Sequence, residues 1–375
     1  MTCAAPTLAC SGGACHACVA VVASGGAQTC AIRADGSLWC WGDNSVGELG
    51  TGGMSSSSPV QVTALTTAVT QVSAADLITC ARTSDGSAWC WGVNDSGQIG
   101  NGTTTNAPMP ARVVNVPAIA GLSADRTHSC AFTTGNVLYC WGDNTNGDLG
   151  NGTTARSTVP VAVSTGSNVV GVSTQDYYTC AWKSDHTLWC WGRNVEGQLG
   201  IGTKSTAPPY GETSPVLVQS LGSTVVEAGA GAIHACARKI DGSVWCWGSA
   251  GLVGTADGAE HLLPVQVVTD VAQLSVGEFH TCVRKTDASL WCWGSNTYGE
   301  LGTGDTTDRP VPTLVLAGGS VAGVSAGVGI YPHTCVLKTD GSIWCWGNNS
   351  SGELGNRMTS TAPQTTPVQS ALGCP

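Results

Sequence analysis

A pair of cysteines separated by ten positions occurs seven times in this chain of 375 residues. The pairs are Cys30 and Cys40, Cys80 and Cys90, Cys130 and Cys140, Cys180 and Cys190, Cys236 and Cys246, Cys282 and Cys292, and Cys335 and Cys345. The second cysteine lies in a Trp-Cys-Trp-Gly block, in which Tyr139 once replaces the first tryptophan. The first four pairs recur every 50 residues, and the later steps are 56, 46 and 53 residues. A period of this length is typical of a repeat architecture and restricts the fold before any other feature is considered.

Each repeat is predicted to contain four short β-strands. An apolar stretch such as 69–72 comes first, residues 79–82 and 88–91 form a hairpin, and a fourth strand follows a proline. No segment carries a sustained helical period of apolar residues, and 51 glycines disfavour helices. Four strands in about 50 residues is the pattern of a propeller blade. We therefore predict an all-β, seven-bladed β-propeller over residues 19–375, preceded by a cysteine-rich N-terminal cap over residues 1–18.

A three-residue hairpin loop explains the cysteine spacing. In the first repeat, residues 34–36 fit a type I turn followed by a left-handed position, which Gly36 fills. The pairing places Cys30 opposite Cys40 in a non-hydrogen-bonded pair, with Cα atoms about 4.5 Å apart and within disulfide range. All seven pairs are therefore predicted to be intrablade disulfides. Ala288 fills the left-handed position of the sixth repeat, where a different turn is expected because alanine is unfavourable there.

The composition also indicates a compartment. Nineteen cysteines suit an oxidising space, whereas a zinc site would need four ligands, often at short spacing. No basic start or long apolar core marks a secretory signal, so we expect a secreted or cell-surface protein whose signal has been removed. No apolar run is long enough to cross a membrane. The net charge of −10 argues against a nucleic-acid surface.

Five cysteines lie outside the hairpins, namely Cys3, Cys10, Cys15, Cys18 and Cys374. They cannot all pair with one another, so one is free, intermolecular or modified. Residues 15–18 read Cys-His-Ala-Cys, but Val19 stands where haem attachment needs a histidine, and we expect no cofactor and no metal. The last strand, at 367–369, is expected to lie beside the first repeat and close the ring, with Cys374 linked to an early cysteine.

The loop after each hairpin carries a second recurring pattern. In the first repeat it runs from Gly42 to Gly52 as Gly-x-Asn-x-x-Gly-Glu-Leu-Gly-x-Gly, and it returns in every repeat except the fifth. This pattern resembles the repeat of the regulator-of-chromosome-condensation family. The resemblance implies a seven-bladed propeller used mainly as a platform for binding other proteins, and the cysteine hairpins are similar to those of secreted bacterial members.

The family's founding activity, guanine-nucleotide exchange on a nuclear GTPase, is not expected here. It depends on particular loop residues, and none of them can be matched in this sequence. A bacterial β-lactamase-inhibiting propeller with a similar repeat indicates that an exported ring can act purely as a binder. Fold alone does not identify the partner.

Two sets of recurring polar residues are candidates for chemistry. His128, His234, His280 and His333 precede the first cysteine of their repeats by two residues, and Glu48, Glu300 and Glu353 share a loop position with Gln98, Asp148 and Gln198. A metal-binding histidine ring is conceivable, and paired carboxylates can act as acid and base. Histidine in this slot is, however, part of the family pattern, and a position that exchanges acid for amide usually ties down its own loop. Both sets are predicted to be structural, and no catalytic residue is assigned.

The fifth repeat breaks this pattern, and the fourth keeps it but has a longer loop. The fifth runs through 249–255 without the recurring asparagine, and the fourth carries a longer excursion, 204–214. Loops on a rigid scaffold often carry function, so we expect a binding site near Tyr210 and Leu252, although plain drift would also explain the irregularity.

The predicted function is a non-catalytic extracellular scaffold, either protein-binding or structural, with an unknown protein partner or self-assembly. The alternative is an exported lyase or hydrolase with an active site on the propeller axis, since seven-bladed propellers also host such enzymes. A metal-bearing axial pocket would favour the enzyme.

The cysteine near the C-terminus yields a first prediction. Cys374→Ser should lower the thermal midpoint more than the loss of one blade's disulfide, because a bridge from Cys374 to the N-terminal cap closes a far longer loop. The measurement is thermal unfolding of both variants without reductant. An equal or smaller effect would mean that Cys374 does not close the ring.

Overall fold

A computed structural model of the protein describes residues 8–11, 14–17 and 19–372. Seven antiparallel sheets of four strands each follow one another along the chain, and within each sheet the strands pair in sequence order. The innermost strands of all seven sheets surround a common axial cavity. The predicted seven-bladed propeller with four strands per blade is therefore confirmed.

The strands of the N-terminal hairpin are β1 (Leu8–Ser11) and β2 (Ala14–Ala17). The strands of the first three blades are β3 (Val19–Ser24), β4 (Gln28–Arg33), β5 (Leu38–Gly42), β6 (Ser56–Gln61), β7 (Val69–Ala74), β8 (Ile78–Thr83), β9 (Ala88–Gly92), β10 (Ala107–Arg112), β11 (Ile119–Ala124), β12 (His128–Thr133), β13 (Leu138–Gly142) and β14 (Ser157–Ala162). The strands of the fourth and fifth blades are β15 (Val169–Gln175), β16 (Tyr178–Lys183), β17 (Leu188–Arg193), β18 (Gly211–Leu217), β19 (Val225–Ala230), β20 (His234–Lys239), β21 (Val244–Gly248) and β22 (His261–Val268). The strands of the last two blades are β23 (Val271–Val276), β24 (His280–Lys285), β25 (Leu290–Gly294), β26 (Arg309–Leu316), β27 (Val321–Ala326), β28 (His333–Lys338), β29 (Ile343–Asn349) and β30 (Ser360–Gln369).

The helical content of the described residues is a single 3₁₀ turn, Gln219–Leu221. Accordingly, the described part of the chain contains no helix with the length and apolarity needed to span a bilayer. The division into a cap, 1–18, and a ring, 19–375, stays a prediction.

The two faces of the ring differ. Because neighbouring strands are antiparallel, the loops from first to second strand and from third to fourth strand leave the same face. We call it the long-loop face, and in the second blade it carries residues 75–77 and 93–106. The opposite, turn face carries the hairpin turns, such as residues 84–87.

Ring closure differs from the prediction. β30 pairs with β29, so the last blade contains four strands of its own and gives none to the first. The first blade is complete without it, because β3 supplies its innermost strand. The expectation that 367–369 lie beside the first repeat is therefore wrong.

The first and last blades are joined by side-chain contacts instead. Trp41 Nε1 donates to the carbonyl of Glu353 at 2.8 Å, and Ser24 N donates to Ser325 Oγ at 2.8 Å. The pairing predicted for Cys374 stays a prediction, since Cys3, Cys18 and Cys374 lie outside the described residues. Of the other two N-terminal cysteines only the backbone is described, and Cys10 stands opposite Cys15 in the β1–β2 hairpin.

The second and third strands of each blade form the predicted hairpin. Gly36 has a φ of 80°, and Arg33 N donates to the carbonyl of Ser37 at 3.0 Å. Cys30 lies opposite Cys40, and the two form a disulfide with a Cα–Cα distance of 4.1 Å. All seven predicted intrablade disulfides are present, so this prediction is confirmed.

The sixth hairpin has the same turn as the others, so the expectation of a different turn is wrong. Ala288 has a φ of 62°, and its N–H donates to the carbonyl of Lys285 at 3.0 Å. Asp287 stabilises the turn, because its Oδ1 accepts from both the backbone N (2.9 Å) and the hydroxyl (2.6 Å) of Ser289. These hydrogen bonds offset the unfavourable conformation of alanine.

The disulfides lie in the hydrophobic cores between blades. Cys30 and Cys40 pack in one cluster with the buried Trp91 of the second blade. Cys335 and Cys345 pack in the same way on Trp41 of the first blade. Each disulfide therefore locks its own hairpin and also forms part of the surface on which the next blade packs.

The second tryptophan of each block also binds a loop of the preceding blade. Its indole N–H donates to a backbone carbonyl at 2.8–3.1 Å in every blade. The donor and acceptor residues are Trp41 and Glu353, Trp91 and Glu48, Trp141 and Gln98, Trp191 and Asp148, Trp247 and Gln198, Trp293 and Leu252, and Trp346 and Glu300. The recurring glycine of the loop permits this contact: a Cβ at Gly150 would lie 2.5 Å from Trp191 Nε1.

The outermost strand of every blade contains a proline. These prolines include Pro59, Pro108, Pro160, Pro215, Pro264, Pro310 and Pro363. Because proline has no backbone N–H, each outer edge lacks at least one donor.

Two glycines separate the cost of backbone conformation from the cost of the tryptophan contact. Gly150 and Gly166 both have positive φ, 64° and 73°, but a Cβ at Gly166 would meet nothing within 4 Å. Gly166→Ala should cost about 1–2 kcal/mol for the left-handed conformation, and Gly150→Ala a further 1–3 kcal/mol or so for the clash with Trp191. Guanidinium unfolding without reductant measures both. Equal losses would show that the tryptophan contact does not restrict this position.

Candidate functional site

The recurring histidines lie between blades. His280 Nε2 is 2.9 Å from Thr334 Oγ1, whose own proton goes to the carbonyl of Glu300 at 2.7 Å. The histidine must therefore be the donor, which requires a proton on Nε2. Burial lowers the pKa of His280 to about 3, so the ring is neutral.

The other three histidines make the same contact, as His128 with Thr179, His234 with Thr281, and His333 with Thr29. All four histidines are therefore hydrogen-bonded across a blade interface, and their purely structural role stays a prediction. Within residues 8–11, 14–17 and 19–372, no three histidine, cysteine or acidic side chains group in a way that could hold a metal ion.

The acid-or-amide position ties down its own loop, as predicted. Glu48 Oε2 accepts from the backbone N of Val46 at 3.0 Å, and Gln98 Oε1 accepts from Ser96 N at 2.9 Å. Gln98 Nε2 also donates to the carbonyl of Arg126 in the next blade at 2.7 Å. Glu48 Oε1, by contrast, has no partner among the described residues, and burial raises the pKa of this carboxyl to about 7.

This asymmetry yields a pH-dependent prediction. The pKa of Glu48 is raised from its usual 4.5 to about 7 in the folded protein. Its contribution to stability is therefore fully present below pH 4.5 and is lost as the pH rises through 7. Glu48→Gln keeps the hydrogen bond to Val46 N and removes the charge. Its free energy of unfolding should therefore exceed that of the wild type by about 1–2 kcal/mol at pH 8 and nearly equal it at pH 4.

Denaturant unfolding at both pH values provides the measurement, and Gln98→Glu is the matched reverse variant. Gln98→Glu should be less stable than the wild type at pH 8. A Glu48→Gln variant with unchanged stability at pH 8 would show that ionisation of the buried Glu48 carboxyl does not destabilise the fold.

The axial channel contains small polar groups that bind neighbouring blades. Its cavity of about 380 Å³ is lined by the innermost strands of all seven blades. Ser73 Oγ accepts from the backbone N of Ala124 at 3.1 Å, and Ser325 Oγ accepts from Ser24 N at 2.8 Å. Ser123, Ser173 and Ser275 make the equivalent contact, so serine oxygens connect five of the seven blades to a neighbour. Ala23 and Gly229 occupy the position in blades one and five.

The mouth of the channel on the long-loop face is bridged. Gln175 Nε2 in blade four donates to Glu278 Oε2 in blade six, and Gly329 N in blade seven donates to the same oxygen at 2.9 Å. Burial, followed by the charge of Asp176, raises the pKa of Glu278 to about 10. Glu278 is therefore neutral near pH 7 and links three blades across the axis.

A second cavity, of about 600 Å³, opens on the long-loop face between blades three and four. Blade three contributes the loop that follows β13, and blade four contributes the loop before β16, the end of β17 and the loop that follows β17. The residues that line it include Asp143, Thr145, Asn146, Tyr177, Arg193 and Tyr210. This cavity therefore includes Tyr210, the residue predicted to bind a partner from the longer loop of the fourth repeat.

Tyr210 is held by its backbone, which leaves its ring free. Its N–H donates to the carbonyl of Ala207 at 2.8 Å, and its own carbonyl accepts from Asn194 N at 2.8 Å. In blades one, two and six the equivalent asparagine N–H donates to a side chain, of Ser55, Asn106 and Asp308 respectively. In blade four the carbonyl of Tyr210 takes the place of that side chain, and Tyr210 is 45% exposed at the cavity.

Leu252 lies elsewhere and has a backbone role. Its carbonyl accepts from Trp293 Nε1 at 3.1 Å, so the irregular fifth loop still makes the contact that the regular loops make. Leu252 is not among the residues lining the cavity at Tyr210. Its part in binding stays a prediction, although the two irregular loops do touch through an ion pair of Lys204 with Glu260.

Sequence reasoning missed Tyr177, Asp143 and Arg193. A signal was present, because the repeat alignment places Tyr177 in a loop on the same face as Tyr210. At the position of Tyr177 the other six blades carry Ala27, Leu77, Thr127, Ile233, Phe279 and Pro332. The side-by-side placement of loops from two blades, however, requires the closed ring.

Two family models match segments along the whole length of the ring. The model described as "Regulator of chromosome condensation (RCC1) repeat" matches residues 35–82, 85–132, 136–182, 185–238 and 287–337. A second model of the same description matches residues 9–48, 69–98, 123–148, 271–300 and 331–353. The chain belongs to the RCC1 repeat family.

Among RCC1-type relatives, the Ultraviolet-B receptor UVR8 of Arabidopsis thaliana is 28% identical over 148 residues, which are 37% of this chain and 32% of the receptor. The match thus spans about a third of that relative's length. Human WBSCR16 superposes with a TM-score of 0.77 at 23% identity, covering 85% of this chain and 86% of that one. Yeast RCC1 (Prp20), in its structure bound to Kap60, has a TM-score of 0.77 at 20% identity, covering 94% and 85%. At these identities the structural likenesses show the fold alone.

Proposed function

We propose that this RCC1-type ring is a secreted or cell-surface, non-catalytic scaffold that binds another protein through its long-loop face. One observation carries the proposal. The recurring polar side chains are hydrogen-bonded within or between blades, as for His280 and Gln98, whereas the irregular Tyr210 presents a free ring at a cavity.

Other aromatic residues on the same face support a binding surface. Tyr298 and Tyr331 pack edge to face with ring centroids 6.2 Å apart, and the neighbouring Ile330 is 59% exposed. Tyrosine is enriched among the residues that dominate protein–protein binding energy. Tyr177, Tyr210, Tyr298 and Tyr331 are four of the six tyrosines of the chain, and all four lie in loops of this face.

The relatives support a binding role as well. The yeast RCC1 structures are described as bound to Kap60 and in terms of binding to Gsp1p and histones. These partners belong to those proteins, and the partner of this chain is proposed only as a protein.

The seven disulfides support an extracellular setting. Each closes a loop with a sequence separation of ten residues. Disulfides of this kind persist in oxidising compartments and are rare where thiol reductants are abundant.

We propose that the ring is non-catalytic because the polar groups along its axis are already hydrogen-bonded. The serine oxygens that line the channel accept backbone hydrogen bonds, and the Gln175–Glu278 contact bridges the mouth. These contacts leave the axial groups engaged in holding blades together, which weakens the alternative of a lyase or hydrolase with an axial site.

The proposal predicts that partner binding depends on one face. Protein captured from the native surroundings by the wild-type ring, once identified, should bind Tyr210→Ala at least tenfold more weakly by calorimetry. Ile240→Ala, which alters a 60%-exposed residue on the turn face, is the matched control and should bind normally. A chelator should change neither result. Loss of binding only in Ile240→Ala, or turnover of a small substrate that a chelator abolishes, would contradict the proposal.

A further inference from the structure

Four of the polar side chains that line the cavity between blades three and four lack partners within the described part of the chain, whereas Asp143 Oδ1 accepts from the Thr145 hydroxyl at 2.9 Å. The hydroxyls of Tyr177 and Tyr210, the amide of Asn146 and the guanidinium of Arg193 make no hydrogen bond or ion pair there. The recurring Asn144 of the same loop, in contrast, donates to the carbonyls of two loop residues at 3.0 Å. Groups that the fold does not use therefore converge on this one cavity.

The two tyrosines are held rigidly by neighbouring residues. Arg193 N donates to the carbonyl of Tyr177 at 2.8 Å, and the next N–H, that of Asn194, donates to the carbonyl of Tyr210 at 2.8 Å. Both tyrosines have left-handed backbones, with φ of 71° and 63°, which cost about 1–2 kcal/mol each for a residue other than glycine. Strain that the surrounding structure maintains is typical of binding sites, and fixed aromatic walls lower the entropy cost of binding.

The cavity lies in a negative field. Asp143 lines it and Asp176 precedes Tyr177; after burial, these two charges are the main reasons why the pKa of the Tyr177 hydroxyl is raised. Arg126 is engaged with Asp76 at 3.4 Å. Arg193 alone among the lining residues opposes the carboxylates. A cation is therefore favoured over an anion at the tyrosine rings.

We infer that this cavity binds an arginine side chain from a segment of the protein partner. A guanidinium stacks on an aromatic face, worth about 0.5–2 kcal/mol, and its planar fork pairs with a carboxylate such as Asp143. The volume of about 600 Å³ exceeds one side chain, so main-chain atoms of the segment enter too, and Arg193 can donate to one of their carbonyls. This inference rests on the proposed function and adds the chemistry of recognition.

The test uses the full chain labelled with 3-fluorotyrosine and the peptide acetyl-Gly-Gly-Arg-Gly-Gly-amide. The chain has six tyrosines, so fluorine NMR gives six signals that Tyr→Phe variants assign. The peptide should shift the signals of Tyr177 and Tyr210 and leave the buried Tyr178 unchanged. The same peptide with citrulline, a neutral isostere of arginine, should bind at least fivefold more weakly.

Variants then test each contact. Asp143→Asn and Tyr210→Ala should each weaken the arginine peptide at least fivefold, and Tyr210→Phe, which keeps the ring, should not. Asp43→Asn is the matched control, because Asp43 has the equivalent loop position in blade one. Both of its carboxylate oxygens accept from serine hydroxyls, of Ser45 and Ser55, whereas in Asp143 only Oδ1 accepts, from Thr145. Thermal unfolding confirms that each variant remains folded.

Three outcomes would overturn the inference: equal binding of the citrulline peptide, tighter binding of a glutamate peptide through Arg193, or shifts confined to Tyr298 and Tyr331. Each leaves the proposed function standing if the captured partner still requires Tyr210. If the arginine peptide binds as expected but the partner does not require Tyr210, the arginine pocket is established and the proposed partner surface is wrong.

Discussion

The ring depends on one hydrogen bond that is repeated at each blade interface, from an indole N–H to the backbone carbonyl of the preceding blade's loop. At the closing interface this bond joins Trp41 to Glu353. The disulfide of the preceding blade packs against the same tryptophan, and the loop glycine leaves room for the indole. Cysteine, tryptophan and glycine therefore recur together because all three serve a single contact between blades.

This contact explains why the polar side chains at the regular positions are engaged between blades. The threonine that binds each neighbouring histidine also donates to the loop carbonyl in most blades, as Thr334 does to Glu300. Side chains committed to such contacts cannot vary without loss of the interface. The loops vary where a backbone carbonyl is sufficient. The fifth loop lacks the recurring asparagine but keeps the carbonyl of Leu252 for Trp293, and in the fourth loop the carbonyl of Tyr210 accepts from Asn194 N.

The local features of the fold could be predicted from the sequence, and the features set by the whole ring could not. The ten-residue spacing defines a hairpin and therefore a disulfide, because both depend on a short stretch of chain. The turn at Ala288 was predicted wrongly because the hydrogen bonds of Asp287 outweigh the preference of alanine. The partner of residues 367–369 was predicted wrongly because a proline-led outer strand has the same pattern whichever blade it joins. Tyr210 was found from its irregular loop, but Asp143 of blade three reaches it only once blades three and four stand side by side.

The prolines in the outer strands affect the tendency of such rings to aggregate through their sheet edges. Seven open sheet edges on one particle would be templates for strand addition, domain exchange or cross-β growth at high concentration. A proline such as Pro264 in each outer strand removes a backbone donor from that edge and interrupts any continuous ladder. Aggregation through the rim is thereby disfavoured without charged side chains, which are scarce at 11% of the sequence.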